Sequence, residues 1–434
     1  MGFTGKIELI YPLYKEMRME KGRRIPQLTL PLVAALCPPE IEVKITDEEV
    51  EEIDFNLGRG SVAGVSMMTA QAKRGYEIAR EFRKKGVITI AGGIHPSSLP
   101  DEAAAHFDSV VVGEAECVWD SVITDLKRGE LKKIYRSEEF FHLRNLPSPK
   151  YDLVKNKMFY TPVQASRGCP YRCTFCSVTK FYGPKFRSRP VDEIITEIKL
   201  SGDKYFFFVD DNIVGNPKFA KELFTKLIPL KIKWGGQAIL GFAQDRELVE
   251  LAGQSGCLGL FIGIESVNRK SIKQANKKCN KVEDYAALIK QIHRAGIHII
   301  AGTVFGFDTD DKNIFEQMLD FYKKNKIAYA NFSILTPFPG TILYEQMEKE
   351  GRIFEKDWSK YDCGSVVFHP LKMSPEELQA GSDWVGREFF KPAEILRRFW
   401  ENRSHPFLYL SGNIGYRRKH NTHEPGRNVA IRKS

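Results

Sequence analysis

The chain has 434 residues, of which 42% are hydrophobic and 28% charged, and its formal net charge is +10. This length predicts two or three domains, and no apolar run approaches the roughly 18–20 residues that a membrane-spanning helix needs. The first residues lack the regions of a signal peptide, and the eight cysteines suit a reducing compartment, so we expect a cytoplasmic protein with no membrane span.

The first 140 residues alternate between predicted strands and predicted helices. Short apolar runs predict strands at 6–11, 41–45, 62–68, 87–91 and 109–112. Helical patterns lie between or after them, at 28–36, 70–85 and 118–127. This order predicts a doubly wound, Rossmann-like parallel sheet, in which ligands bind beyond the carboxyl ends of the strands.

The segment after this sheet is predicted to be a linker. Polar charge and prolines dominate from about residue 128, and we place the linker itself at 141–158. A second series of strands follows within a domain at 159–355, at 161–165, 205–209, 233–239, 258–263, 297–305 and 330–335. Six such units, with helices such as 191–200 and 286–295 between them, predict a partial (β/α)6 barrel.

Residues 356–434 are predicted to form a mostly helical C-terminal region. Its expected helices are 375–390 and 393–402, and its end is basic from residue 417 onward. A basic tail can contact nucleic acid, anionic lipid or an acidic protein, but a solvated or disordered end explains it equally well. The net charge therefore does not indicate the substrate. We expect no nucleic-acid partner.

Three closely spaced cysteines carry the main chemical signal. Cys169, Cys173 and Cys176 have the spacing C-x3-C-x2-C, and the next cysteine is distant, at Cys257. Three thiolates this close can hold three irons of a cubic iron–sulfur cluster and leave the fourth iron open. A zinc site usually has four ligands in paired spacings, and a disulfide framework needs an oxidising compartment. The cluster is therefore the better interpretation.

This motif, with the aromatic Phe175 before its last cysteine, resembles the signature of the radical S-adenosylmethionine (SAM) superfamily. The resemblance implies that the amino and carboxylate groups of SAM chelate the open iron of a [4Fe–4S] cluster. One electron from the cluster would cleave SAM to a 5′-deoxyadenosyl radical, while the protein supplies binding and orientation. Phe175 would then pack near the adenine.

The same resemblance assigns SAM contacts to residues at the carboxyl ends of the barrel strands. Asp210, Asp211 and Asn212 would meet the SAM amino group, although these residue types also suit a helix N-cap. Glu265 and Ser266 would bind the ribose or carboxylate, and a salt bridge to Arg269 or Lys270 is the alternative. The remaining SAM-binding candidates are Gln237, Thr303, Phe305 and Leu335.

The N-terminal sheet carries a second resemblance. The sequence GG-x-H-P at Gly92–Pro96, followed by V-V-V-G-E-x-E at Val110–Glu116, is similar to the cobalamin-binding domain that is fused to many radical SAM enzymes. Glycines at strand ends let the backbone approach a ligand closely. The cobalamin-binding candidates are Tyr11, Pro12, Ser66, Met67, Met68, Thr69, Gly92, Gly93, His95, Pro96, Gly113 and Glu114.

One departure from related cobalamin proteins affects the cobalt ligand. The motif D-x-H-x-x-G, whose histidine ligates cobalt in cobalamin mutases and methionine synthase, is absent from this sequence. His95 stands elsewhere and is expected to shape its loop. Cobalt would therefore have another lower ligand, water or none, and a member of this family without cobalamin stays an alternative.

Together these resemblances imply a cobalamin-dependent radical SAM methyltransferase. It would move a methyl group from SAM, via methylcobalamin, to an unactivated carbon of a small molecule, peptide or protein, such as a residue of methyl-coenzyme M reductase. A flavodoxin or ferredoxin would supply the electron. The alternative is a non-methylating cyclisation, ring contraction or C–C bond formation on a lipid, tetrapyrrole or natural product. A tRNA methylthiotransferase fits poorly, because only Cys37 and Cys117 precede Cys169 and that family needs three.

Overall fold

A computed structural model of the chain describes residues 3–14, 27–155 and 159–422. Two six-stranded sheets and one two-stranded ribbon organise these residues. All strand pairs in the two large sheets are parallel. The predicted α/β class, with a doubly wound sheet followed by a partial barrel, is therefore confirmed.

The first sheet has the strand order β2-β1-β3-β4-β5-β6. Its strands are β1 (Lys6–Tyr11), β2 (Glu42–Asp47), β3 (Val62–Ser66), β4 (Ile88–Gly92), β5 (Ser109–Val112) and β6 (Ile134–Arg136). The order reverses beside β1, and such a reversal opens a crevice at the carboxyl ends of the strands. The crevice positions the candidate ligand residues of this sheet.

Helices cover both faces of the first sheet. They are α1 (Thr29–Ala35), α2 (Ala72–Lys84), α3 (Ile94–Ser98), α4 (Pro100–His106) and α5 (Trp119–Arg128). One buried cluster joins the sheet to α1 and α5, and another joins it to α2 and α4. Because both faces are covered, the central strand β3 is almost continuously buried, as its sequence VAGVS predicts.

Strand β6 was not predicted. We expected the regular structure of this domain to end at about residue 128, but Ile134–Arg136 pairs with β5 as the edge strand. Three residues are too few to show the alternating apolar pattern by which a strand is predicted. Tertiary contacts hold the strand instead, because the buried Tyr135 donates a hydrogen bond of 2.8 Å to Asp125.

The second sheet follows chain order, as expected for a partial barrel. Its strands are β7 (Thr161–Val163), β10 (Tyr205–Phe208), β11 (Lys233–Ala238), β12 (Cys257–Glu265), β13 (His298–Phe305) and β14 (Tyr329–Ile334). The antiparallel ribbon of β8 (Ser166–Arg167) and β9 (Arg187–Ser188) is inserted after β7. The cysteine loop lies within this insertion, between β8 and the short helix α6 (Val178–Tyr182).

The helices of the barrel pack outside its strands around one large buried cluster. They are α7 (Val191–Ser201), α8 (Pro217–Leu227), α9 (Arg246–Gln254), α10 (Arg269–Gln274), α11 (Tyr285–Arg294), α12 (Asn313–Lys324) and α13 (Ile342–Lys349). Helix α7 shows the basis of this packing, since its stripe Val191, Ile194, Ile195 and Ile198 is buried.

Three helices form most of the C-terminal region: α14 (Pro375–Phe389), α15 (Pro392–Phe399) and α16 (Pro406–Thr422). Helix α14 packs against α12 and β14, so this region closes the last barrel unit. The part of the predicted basic tail beyond residue 422 lies outside the described residues. No helix within the described ranges is both long and apolar enough to cross a membrane.

Candidate active site

A cavity of about 360 Å3 lies between the carboxyl ends of the two large sheets. The first sheet contributes eight of its predicted ligand residues: Tyr11, Ser66, Met67, Met68, Gly92, Gly93, Gly113 and Glu114. The barrel side contributes Gln164, Arg167, Phe181, Tyr182, Phe207, Val209 and Gln237. Of the predicted SAM-binding residues only Gln237 lines this cavity, and the three cysteines do not. The cavity therefore joins the first sheet to the residues that come just before the cysteine loop.

Four predicted cobalamin-binding residues do not line this cavity: Pro12, Thr69, His95 and Pro96. The His95 side chain is fully buried, and its Nε2 lies 2.9 Å from the hydroxyl of Tyr76. Its ring also packs edge-on against Trp358, with the ring centroids 5.4 Å apart. His95 therefore turns away from the cavity and holds its loop, which is the role that the sequence favoured over metal binding.

Three glycines shape the first-sheet side of the cavity. A Cβ built on Gly92 or Gly113 meets nothing within 4 Å, so both positions open onto free space. Gly93 and Gly113 both have a positive φ, of +98° and +82°, which favours glycine, but only at Gly93 would a Cβ be crowded, lying 2.7 Å from the carbonyl oxygen of Met67. Gly93 thus allows the tight turn, while Gly92 and Gly113 leave room for a ligand.

The cavity continues into an apolar slot between the first sheet and α1. The slot is lined by Leu9, Leu30, Leu32, Val33, Ile90, Val111 and Trp119. At its edge the Tyr11 hydroxyl accepts a 3.0 Å hydrogen bond from the backbone N–H of Leu30. Burial raises the pKa of Tyr11 to about 12, so this phenol stays neutral.

Backbone contacts from neighbouring elements fix the cysteine loop. The N–H of Thr174 donates to the carbonyl of Ala275 at 3.1 Å, and the N–H of Leu343 donates to the carbonyl of Thr174 at 3.0 Å. Gly168 turns the chain into the loop with φ +81°, and a Cβ there would lie 2.6 Å from the carbonyl oxygen of Lys185. The loop is therefore held from the α10 and α13 sides.

The three thiols of the loop are free and partly exposed. Burial raises the pKa of Cys169, and it raises the pKa of Cys173 to about 11 and of Cys176 to about 12. A metal ligand must be a thiolate, so the charge of bound iron has to drive deprotonation. Across the described ranges, no three His, Cys, Asp or Glu side chains converge tightly enough to hold a single metal ion.

Asp210 and Asp211 are positioned to hold the cysteine loop. Asp210 is fully buried and accepts hydrogen bonds from the N–H of Ala165, at 3.0 Å, and from the hydroxyl of Ser166. Asp211 accepts a 3.1 Å hydrogen bond from the N–H of Gly168. Burial raises the pKa of Asp210 to about 7 and that of Asp211 to about 6. Their predicted contact with the SAM amino group stays a prediction.

Asn212 presents a free acceptor beside the cysteines. Its side-chain nitrogen lies 3.9 Å from the sulfur of Cys169. Its Oδ1 is buried and has no hydrogen-bond partner within the described part of the chain. Because a buried polar atom without a partner is costly, this oxygen suits a ligand that brings a donor, such as the ammonium group of SAM.

Glu265 and Ser266 end β12, where the strand changes register. Glu265 has a φ of 63°, which is unusual for a residue other than glycine. Its carboxylate forms a buried ion pair of 2.5 Å with Lys277. The alternative salt bridge to Arg269 or Lys270 is therefore not the one observed, since Arg269 pairs instead with Glu283. Ser266 is fully buried and its hydroxyl accepts from the N–H of Asn268.

Sequence reasoning missed Lys277 and Cys279. Burial raises the pKa of the Cys173 and Cys279 thiols to about 11, the charge of Lys277 offsets part of this rise, and Cys279 adds to the rise at Cys173. Both residues thus lie beside the cysteine loop, although they follow it by about a hundred positions. Only the fold brings them there, because neither stands in a recognisable spacing with the three cysteines.

The structure places Thr303 and Phe305 differently from the prediction. Thr303 lies 2.6 Å from the hydroxyl of Tyr322 on α12, and Phe305 packs against Phe315 on the same helix. Both side chains therefore face the outer helices, because residues two apart on a strand share one face. Phe307, two residues later, instead lies edge-on to Phe175 with centroids 6.3 Å apart. Leu335, the last candidate, is buried in the barrel core.

Comparison with known proteins identifies the family. A model of the radical SAM superfamily matches residues 163–322. The bacteriochlorophyllide d C-12(1)-methyltransferase of Chlorobaculum tepidum is 33% identical over 395 residues, covering 88% of this chain and 86% of that protein. The chain belongs to the radical SAM superfamily. Within it, the chain is a radical SAM C-methyltransferase.

Two further similarities agree with this placement. The bacteriochlorophyllide d C-8(2)-methyltransferase of Chlorobaculum tepidum is 30% identical and covers 80% of this chain and 82% of its own length. The solved structure of TsrM from Kitasatospora setae, with cobalamin and a [4Fe–4S] cluster bound, has a TM-score of 0.70 and 15% identity. That alignment covers 98% of this chain and 100% of TsrM, and at this identity it shows a shared fold.

Proposed function

We propose that this radical SAM enzyme depends on cobalamin and methylates an unactivated carbon of a small molecule. The observation that carries the proposal is the single cavity between the two sheets. Gly92 and Gly113 border it on one side, and Gln164 and Arg167, just before the cysteine loop, border it on the other. A reaction that needs both cofactors requires such a shared space.

The first-sheet side of the cavity fits a corrinoid. Gly92 and Gly113 leave the space that side chains would otherwise fill, so a flat macrocycle can approach the backbone there. The apolar slot beside α1 suits the heterocyclic base of a cobalamin tail. No histidine occurs among the described residues that line the cavity, which supports cobalt without an imidazole ligand.

The barrel side fits the cluster and SAM. Cys169, Cys173 and Cys176 would hold three irons, and the open iron would take SAM. Asn212 would accept a hydrogen bond from the SAM ammonium through its unpartnered oxygen. The Lys277 ammonium, which the carboxylate of Glu265 keeps charged despite burial, would offset the negative charge of three thiolates.

When bound, the cluster supplies the electron that cleaves SAM, and cobalamin supplies the methyl group to a carbon that has no lone pair to attack SAM directly. The residues of this chain bind and orient. Asp210 and Asp211 hold the start of the cysteine loop, and the apolar slot keeps water away from the first-sheet side. A flavodoxin- or ferredoxin-type protein is proposed as the electron donor.

The proposed substrate class is a tetrapyrrole or a similarly large, flat small molecule. Two relatives that align with at least 80% of this chain are named for methylating bacteriochlorophyllide d. Neither of them acts, by its name, on a protein residue, so the methyl-coenzyme M reductase hypothesis is not carried forward. A side-chain carbon of the macrocycle is the expected acceptor.

The decisive experiment incubates anaerobically reconstituted enzyme with hydroxocobalamin, a low-potential reductant, a bacteriochlorophyllide and SAM with a deuterated methyl group. The expected result is a product that gains the labelled methyl group. One S-adenosylhomocysteine and one 5′-deoxyadenosine should form for each product. Mass spectrometry of all three species measures this stoichiometry.

The matched control is Gly92→Leu, which should fill the corrinoid space and leave the cysteine loop intact. This variant should still cleave SAM, unproductively, and form no methylated product. If the unaltered enzyme forms 5′-deoxyadenosine but neither S-adenosylhomocysteine nor any methylated compound, the proposal fails. A rearranging radical enzyme would then be the better description.

A further inference from the structure

A buried network of four charged side chains joins the two halves of the cavity. Arg167 donates to Glu114 at 2.6 Å and to Glu116 at 2.5 Å. Arg187, its neighbour on the β8–β9 ribbon, also contacts Glu114, at 3.0 Å. The side chains of Arg167, Glu114 and Glu116 are 4%, 2% and 6% exposed and that of Arg187 is 16% exposed, so the network is largely buried.

The network connects three separate parts of the chain. Glu114 and Glu116 directly follow β5 of the first sheet, while Arg167 ends β8, two residues before Cys169. The second oxygen of Glu114 accepts a 2.9 Å hydrogen bond from the N–H of Phe141, in the segment between the sheets. The corrinoid side, the connecting segment and the cysteine loop are therefore held at one point.

The geometry at Arg167 is suited to positioning. Its Nε donates to the side-chain oxygen of Gln164 at 2.8 Å, while its two terminal nitrogens each reach a different carboxylate. Because a guanidinium is planar and its donors are fixed in direction, three simultaneous partners define its orientation. A lysine, which carries one rotating ammonium group, cannot reproduce this arrangement.

Stability alone is a weak reason for such a network. Buried ion pairs often give no more stability than apolar side chains of similar volume, because both charges lose their hydration. A buried network does define one arrangement of the groups that it joins, because any other leaves a charge unpaired. Here those groups are the two edges of the catalytic cavity.

We propose that Arg167, together with Glu114 and Glu116, is a positioning clamp that fixes the distance between the corrinoid side and the cluster side of the cavity. The clamp rests on the proposed function, since its role is to keep the two cofactors in register. Methyl transfer needs the substrate radical to form within reach of the methyl donor, so a looser cavity would still cleave SAM but transfer fewer methyl groups. None of the three residues needs to touch substrate.

The first test uses the cluster-loaded chain without corrinoid, so it does not depend on cobalamin binding. Hydrogen–deuterium exchange is compared between the unaltered chain, Arg167→Met and Arg189→Met. Arg189 is the matched control because its side chain is about as buried as that of Arg167 but contacts only the barrel domain, through Glu197 and the carbonyl of Gln164, so the peptide 113–117 is the one that distinguishes the two variants. Arg167→Met should accelerate exchange in peptides from both 113–117 and 164–169. Arg189→Met should affect barrel peptides alone.

The second test measures the separation of the metal centres in the chain loaded with cob(II)alamin and the cluster. Reducing the cluster should speed the spin relaxation of cob(II)alamin in the unaltered chain, an effect that falls steeply with distance. Arg167→Met should lose most of this enhancement, Arg167→Lys should regain part of it, and Arg189→Met should retain it. If Arg167 only stabilised the fold, its replacement would not change the spin-relaxation enhancement in soluble protein that contains both cob(II)alamin and the cluster.

Two results would overturn the clamp: exchange in Arg167→Met that changes only on the barrel side, or unchanged spin relaxation in that variant. If Arg167→Met does not fold, Glu114→Gln combined with Glu116→Gln replaces it, because it loosens the network from the other side. If the unaltered chain binds no corrinoid, the proposed function fails, and the exchange experiment still decides whether the clamp exists.

Discussion

The two sides of the site are built differently. The barrel edge, which we define as Gln164 and Arg167 at the cavity together with the cysteine loop and the residues around it, uses side chains that carry chemistry, such as Cys169, Asp210 and Asn212. The edge of the first sheet uses glycines, at Gly92 and Gly113, and an apolar slot. The barrel edge would bind its ligands through the polar and sulfur atoms of its side chains. The edge of the first sheet would bind its ligand in the space that larger side chains would otherwise fill.

This difference predicts opposite responses to mutation. On the barrel edge, removing an atom removes a ligand or a support, so truncation should be harmful. On the edge of the first sheet, adding atoms should be harmful, because the space itself is the site. The predictions below test this contrast, beginning with the largest expected effect.

The cysteines should show the largest effect. Replacing Cys169, Cys173 and Cys176 with Ala should lower the iron content of reconstituted protein from about four per chain to near zero. Formation of 5′-deoxyadenosine should be lost with it, because no cluster remains to deliver the electron. Iron and sulfide analysis and liquid chromatography of the SAM products measure both effects.

Cys257→Ala is the control for that variant, since Cys257 is buried at the start of β12, away from the carboxyl ends. It should keep its cluster even if the fold is somewhat less stable. A triple variant with a full cluster would show that the barrel edge does not bind iron through these thiols. The contrast between the two edges would then have no basis.

The glycine edge should respond to enlargement. Gly92→Leu should weaken hydroxocobalamin binding at least about tenfold, or by about 1.4 kcal/mol, because the new side chain occupies the corrinoid space. Gly92 does not have a positive φ, so the substitution adds volume without straining the backbone. Equilibrium titration followed by absorbance measures the affinity, and the iron content should stay unchanged.

Gly415→Leu is the matched control. A Cβ on Gly415 also meets nothing within 4 Å, and this glycine also lacks a positive φ, but it lies on α16. It should bind hydroxocobalamin normally. Equal corrinoid affinity in Gly92→Leu and the unaltered chain would mean that the open space beside β4 is not the corrinoid site.

The sequence predicted the barrel edge better than the first-sheet edge for a physical reason. A C-x3-C-x2-C spacing is local, so its chemistry is visible without the fold. Lys277 and Cys279 belong to the same edge but escaped notice, because only the path of the chain after β12 brings them to the loop. A glycine can indicate only that space is needed, and it does not show which way the space opens.

His95 and Thr303 illustrate the same limit within single motifs. The first five strands of the first sheet and their ends were predicted within a few residues, yet His95 contacts Tyr76, away from the cavity. Thr303 faces α12 because the alternation of β13 places it on the outer side. A sequence motif predicts which strand end or loop carries a residue, whereas packing determines the direction of its side chain.

Asp210 offers a sharper test of the barrel edge. If its main role is to hold the loop, Asp210→Ala should cost about 1–3 kcal/mol of stability, because the N–H of Ala165 and the hydroxyl of Ser166 lose a buried acceptor. Cluster content should then fall together with SAM cleavage. Chemical unfolding and iron analysis of the same samples measure both.

Asp245→Ala is the control for Asp210→Ala, since Asp245 also accepts a backbone hydrogen bond, from Leu248, but as the N-cap of α9 on the surface. It should cost about 0.5–2 kcal/mol and leave the cluster unaffected. If Asp210→Ala instead keeps full cluster content and only binds SAM more weakly, the carboxylate acts on the ligand. The prediction from the sequence would then be the better one.

The smallest effect is expected at the closed end of the barrel, opposite the cavity. His298, the first residue of β13, is buried and lies 3.0 Å from the carbonyl oxygen of Asn402. Burial lowers the pKa of His298 to about 4, with a further contribution from His405, so the ring is neutral in the folded chain near pH 7. In the unfolded chain its pKa returns to about 6.5.

Between these two pKa values the unfolded chain binds more protons than the folded chain, so stability falls as the pH is lowered from about 6.5 to about 4. His298→Gln keeps a side-chain N–H donor for Asn402 but cannot titrate. It should therefore reduce this loss of stability by about 1–3 kcal/mol, measured by chemical unfolding at several pH values. His405→Gln should change the slope less, because His405 is only partly buried. If His298→Gln leaves the pH dependence of the free energy of unfolding unchanged, His298 is protonated in the folded chain as easily as in the unfolded chain. This end of the barrel would then be packed more loosely than the cavity edges.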